Sequence, residues 1–127
     1  MSAEIRSDSR GAQSLDDTRW LDYLNGIEHR QIVHADITTA AKLLWSNLRA
    51  RVSSLTLPDA SPSNAGGLFL SWDRNGKHLE IEVLSDTTYE WFFRERTTDI
   101  SEGGPAPLPI GSIPCELLVR LNEVFGA

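Results

Sequence analysis

Three side chains within one short run could do chemistry together. His78, Glu80 and Glu82 occupy alternate positions of KHLEIEV, and alternation along a strand places all three on one face. Two carboxylates and an imidazole are able to ligate a divalent cation or to divide general acid and base roles. The plainer reading is a solvated sheet face on which Glu80 and Glu82 pair with Arg94 and Arg96, each pair contributing roughly 0.2–1 kcal/mol. Ser71, Asp73 and His78 share that face, with Asp73 opposite His78. A catalytic serine needs a strained turn and an oxyanion hole, and the residues around Ser71 suggest neither. A local Asp–His contact accounts for the pair more simply.

The remaining candidates are isolated. His29 and His34 stand five apart in an irregular stretch and need not share a helical face. Cys115, the single cysteine, falls in the first turn of an expected helix, where a thiolate is stabilised. No histidine is placed to activate it, so it reads as a buried, inert residue beside Leu117 and Leu118. One cysteine excludes an intrachain disulfide and a Cys-based zinc cluster. Gly66-Gly67 lacks the Lys-Ser/Thr pair of a phosphate loop and precedes a strand rather than a helix. No catalytic residue, metal ligand or cofactor is assigned.

The element that must position these groups is a meander over residues 68–96. Asn75-Gly76 separates two alternating apolar runs, and both residues accept the positive φ of a type I′ turn. A two-residue loop makes Arg74 and Lys77 partners. Trp72 then faces Leu79, Leu70 faces Ile81, and Leu68 faces Val83. These six apolar residues fall on one face, and Phe69, Ser71, Asp73, His78, Glu80 and Glu82 fall on the other. A turn at residues 85–88, of three or five residues, leads to a third strand. There Tyr89, Trp91 and Phe93 join the buried face and alternate with Glu90, Phe92, Arg94 and Arg96. Phe69 and Phe92 thus land on the polar face. Either a helix covers part of it or the two form an exposed patch that binds something.

Around the meander the chain reads as helices and loops. Residues 1–13 are polar and aperiodic, which suggests a disordered tail. Ser14 with Asp17 looks like a helix start, Trp20, Leu21, Leu24 and Ile27 recur at helical spacing, and Gly26 is a candidate stop. Asp36 is the expected cap of a second helix, whose apolar face runs through Ile37, Ala41, Leu44, Leu48 and Val52. Residues 57–67 and 101–112 read as loops, the second with alternate prolines that favour an extended, polyproline-like path. Pro114 suits the first turn of a last helix with Leu117, Leu118, Leu121, Val124 and Phe125 along one side.

The formal net charge of −6 over 127 residues argues against sequence-independent nucleic-acid binding, which needs a basic surface. It suits a soluble protein, or one that engages a basic partner. The length fits one domain over residues 14–127. No signal peptide or membrane-spanning run is evident, so a cytoplasmic location is expected.

The run from Gly66 to Arg96 resembles a pattern in small bacterial proteins of unknown function. In these a GG-apolar-x-W-acid strand precedes an apolar–acid strand, a polar turn and an E-W-F-aromatic strand. The positions carrying it are Gly66, Gly67, Trp72, Asp73, Glu80 and Glu82, then Glu90, Trp91 and Phe92. It covers about a quarter of the chain. Its commonest turn has Gly where this chain has Thr87 or Thr88, which leaves the second hairpin's register open. The resemblance implies a bacterial origin and a compact α+β domain, and it carries no catalytic residue.

The expectation is therefore an α+β domain: two N-terminal helices, a three-stranded antiparallel meander and a C-terminal helix. The expected function is a non-enzymatic protein-interaction module of an accessory, antitoxin-like or immunity-like kind. Its contact residues are Phe69, Glu80, Glu82, Phe92 and Arg94, apolar contact coming from the aromatics and specificity from the charges. One alternative is a small metal-assisted hydrolase using His78, Glu80 and Glu82. Another is a homodimeric structural protein.

Overall fold

The computed structural model describes residues 9–108 and 113–125. Helices α1 (Ser9–His29) and α2 (Ala35–Arg51) precede strands β1 (Asp59–Pro62), β2 (Leu68–Arg74), β3 (Lys77–Val83), β4 (Thr88–Glu95) and β5 (Ile100–Pro107), and α3 (Cys115–Phe125) follows. The strands form one antiparallel sheet in the order β1-β2-β3-β4-β5. The class is α+β, and the meander has five strands rather than three.

The first hairpin has the register its turn demands. Arg74 pairs with Lys77, Trp72 with Leu79, Leu70 with Ile81 and Leu68 with Val83. Asn75 (φ 56) and Gly76 (φ 78) both take positive φ, the type I′ signature. The second hairpin pairs Val83 with Tyr89. Its turn is held by Ser85, whose Oγ accepts from the Thr87 and Thr88 amides at 3.1 and 3.2 Å.

The two added strands lie at the edges, within stretches that read as loops. β1 carries Pro62, and β5 carries Pro105 and Pro107. Proline lacks an N–H and is confined to edges within a sheet. An edge strand in contact with little core shows no apolar alternation, and that hid both. β5 can approach β4 because position 103 is glycine: a Cβ there would lie 2.3 Å from the Trp91 carbonyl oxygen. Residues 109–112 of the expected second loop lie outside the described residues.

The helices cover one face of the sheet. α2 packs on β2 and β3, α3 packs on β3, and α1 packs on α2. The expected α2 stripe, Ile37, Ala41, Leu44, Leu48 and Val52, is buried with Leu70, Leu79, Ile81, Val83 and Phe93 of the sheet. Trp72 and Phe125 meet edge to face at 6.2 Å, and the Trp72 indole donates to the Thr56 carbonyl at 2.7 Å. Thr38, fully buried, ties α2 to α1 by donating to Glu28 Oε1 at 3.1 Å.

Several helix boundaries differ from expectation. α1 begins at Ser9, not at a Ser14 cap, so residues 9–13 of the expected tail are helical and residues 1–8 lie outside the described residues. Once nucleated, a helix gains a hydrogen bond for each residue added, and nothing before Ser14 blocks that. It also runs through Gly26 and ends where Gln31 takes φ 60 and the Ile32 amide returns to the Ile27 carbonyl at 2.9 Å. The α2 cap is His34 rather than Asp36: its Nδ1 accepts from the Asp36 amide at 3.1 Å. Leu21 is exposed although it belongs to the expected α1 stripe. Cys115 is exposed rather than buried, because α3 turns Leu117, Leu121, Val124 and Phe125 inward.

Candidate functional site

Strand alternation and register arrange the outward-facing side chains of the sheet in three rows. The first runs Ser61, Phe69, Glu82, Glu90, Pro105, and the second runs Asp59, Ser71, Glu80, Phe92, Gly103. The third runs Asp73, His78, Arg94, Ser101. No helix among the described residues packs on this face. Phe92 accordingly stays 42% exposed, while Phe69 is half-buried.

The third row satisfies its own charges. Asp73 Oδ2 accepts from Arg96 Nη2 at 3.0 Å and lies 3.3 Å from His78 Nδ1. The other ring nitrogen of His78 lies 3.4 Å from Glu80 Oε1. Arg94 turns away to Asp99 at 3.7 Å. The Arg96 guanidinium hydrogen-bonded to Asp73, helped by His78, holds that carboxyl below its ordinary value despite some desolvation. The expected pairing of Glu80 and Glu82 with Arg94 and Arg96 is therefore not formed: the register sets Phe92 opposite Glu80 and Glu90 opposite Glu82.

The first two rows keep unbalanced charge. Glu82 and Glu90 are direct cross-strand neighbours, and neither makes an ion pair or a side-chain hydrogen bond among the described residues. Like charges placed opposite one another are destabilising, by an amount comparable to the roughly 0.2–1 kcal/mol that a favourable pair contributes. Phe92 lies two residues beyond Glu90 on the same face and directly opposite Glu80. Beside it lies a depression of about 510 Å³ bordered by Glu80, Glu82, Glu90, Phe92, Gly103 and Pro105.

The structure thus brings Phe69, Glu80, Glu82 and Phe92 into adjacent rows, with Arg94 in the next row directed at Asp99. Glu90, Gly103 and Pro105 were missing from the expected set. Alternation with Tyr89 and Trp91 already placed Glu90 on this face. Gly103 and Pro105 gave no such signal, because the stretch containing them read as a loop.

The outward rows present an exposed aromatic ring, several carboxylates and one histidine. Both nitrogens of His78 face carboxylates, Glu82 lies two rows away against Glu90, and no three His, Cys, Asp or Glu side chains among the described residues are grouped to hold a metal ion. Ser71 lies within a regular strand, without the strained turn a nucleophile requires. His29 ends α1 and His34 caps α2. No described helix is long and apolar enough to cross a membrane. No protein-family profile, curated protein or solved structure matches this chain.

Proposed function

We propose that this chain is a non-enzymatic protein-interaction module, of an accessory, antitoxin-like or immunity-like kind, that engages its partner through the open sheet face. One observation carries the reading: a sheet face without a helix over it presents an exposed Phe92 ringed by Glu80, Glu82 and Glu90. Exposed aromatics at the centre and charges at the rim are the ordinary composition of a recognition surface. The resemblance to small bacterial proteins of unknown function is compatible with this reading and adds no activity. A homodimer closed through this face is disfavoured, because two copies would set the same carboxylates against each other. A metal-assisted hydrolase on His78, Glu80 and Glu82 lacks a suitable ligand cluster among the described residues.

The test is affinity capture of the tagged protein from its native cells, with mass spectrometry of what co-purifies. A stoichiometric partner should be lost on Phe92→Ala and on Glu82→Arg. It should be retained on Val119→Ala, which alters a still more exposed apolar residue on α3. A partner held equally by all three variants sinks the proposal.

A further inference from the structure

We infer that the partner presents a basic segment, and that the seat beside Phe92 takes an arginine side chain whose guanidinium stacks on the ring and bridges Glu82 and Glu90. This rests on the interaction reading above and names the chemistry of its partner. A cation seated on the open face would relieve its charge. Glu82 and Glu90 face each other across β3 and β4 with no cation between them. The nearby cations of the chain are engaged elsewhere: Arg94 with Asp99, Arg96 with Asp73, Lys77 with Glu95 and Arg120 with Glu102. Among the described residues, a cation brought by a partner meets no intrachain competitor.

The geometry selects among cationic groups. Phe92 is exposed and shares its face with both carboxylates, Glu90 two residues before it and Glu82 diagonally across. An aromatic face beside paired carboxylates suits a planar group that stacks and donates in a fork. A guanidinium does both, while an ammonium is a strongly hydrated point charge. The depression of about 510 Å³ beside Phe92 lies within the range of sites that enclose small ligands. An anionic or nucleic-acid partner would meet repulsion here, and so would a second copy of this chain.

The inference makes two readouts move in opposite directions. Glu82→Gln and Glu90→Gln each remove like-charge repulsion in the free protein, so each should raise the thermal midpoint by about 1–4 °C. The same changes should weaken binding. The full chain, labelled with ¹⁵N, is titrated with a short Gly/Ser peptide carrying two arginines, and with matched peptides carrying lysine or citrulline. Amide shifts should centre on Glu82, Glu90, Phe92 and Gly103 and weaken as salt is raised. Affinity should follow arginine above lysine above citrulline and fall about tenfold or more in the Glu82→Gln/Glu90→Gln double variant.

Shifts scattered over the surface, or equal affinity for the citrulline peptide or the double variant, overturn the arginine seat. Failure here is separable from failure of the interaction reading. A cellular partner that depends on Phe92 but is held equally by the double variant leaves an interaction module standing and removes the basic-segment inference. A cellular partner untouched by Phe92→Ala removes both.

Discussion

The two faces of β2, β3 and β4 are built from the same backbone and the same register, yet they differ in how completely they are satisfied. On the inner face Leu70, Leu79, Ile81 and Phe93 are fully buried under α2 and α3. Cations there are engaged too: Arg120 lies 4.5 Å above the Phe93 ring and is bonded to Glu102 at 2.7 Å, and Arg74 lies 5.3 Å above the Phe125 ring. On the outer face Phe92 is bare and Glu82 confronts Glu90. A chain selected only for stability gains nothing from that arrangement. The contrast separates residues buried in the core from residues that the fold leaves exposed.

The contrast between the faces is tested hardest by truncating one large side chain on each. Ile81→Ala should cost about 2–5 kcal/mol, the transfer of a fully buried side chain plus the cavity left behind. Phe92→Ala, on the neighbouring strand and the opposite face, should cost under about 1 kcal/mol. Urea denaturation of the two variants checks this, and equal losses would mean that the outer face carries the fold as well.

Next in size is Gly103→Ala. The residue faces outward, but its Cβ would clash with the Trp91 carbonyl, so a loss of about 1–3 kcal/mol is expected from backbone displacement. A neutral result would show that the depression beside Phe92 is not imposed by the close approach of β5.

Tyr89 tests the inner face from its one polar weakness. Its hydroxyl is buried without a hydrogen-bond partner among the described residues, and burial pushes its pKa up to about 12. The folded state therefore keeps this proton at pH values where the unfolded chain, with an ordinary value near ~10, loses it. That contribution to stability is complete below pH ~10 and is lost as the pH rises toward about 12. Tyr89→Phe should remove the alkaline slope and gain about 1 kcal/mol at neutral pH, as measured by denaturation across that range.

The smallest effect lies outside the sheet and sets the scale. Gly26 sits within α1, and a Cβ there meets nothing within 4 Å. Gly26→Ala should gain about 0.5–1 kcal/mol, read as a shift in the denaturation midpoint.

What was legible in the sequence followed from locality and period. Asn75-Gly76 and the alternating residues around it yield the register of β2 on β3, because the turn and the apolar pattern constrain it independently. The α2 stripe is legible for the same reason. β1 and β5 were not, since proline-bearing edge strands carry no alternation to read. The candidate face was half legible. Alternation separated Phe69, Glu80, Glu82 and Phe92 from the core, while the facing of Glu82 and Glu90 depended on how many residues the second turn holds. Gly26 within a helix reflects context overriding the preference of a single residue, whereas the His34 cap is a local bond from the Asp36 amide that the weaker capping preference of histidine hid.

The order of the strands bears on how the molecule comes together. Each strand pairs with its neighbour in sequence, so the sheet closes only short loops and can zip from either hairpin, a topology that favours rapid folding. The inner face is finished from far away. Phe125, in the last turn of α3, packs on Trp72, and its carbonyl accepts from Ser54, 71 positions earlier. During synthesis the meander can pair before α3 has emerged, leaving part of its apolar surface uncovered until the final turn is made. A chain that stops short of α3 should accordingly expose sticky surface and become a substrate for chaperones or proteolysis, with every strand already present.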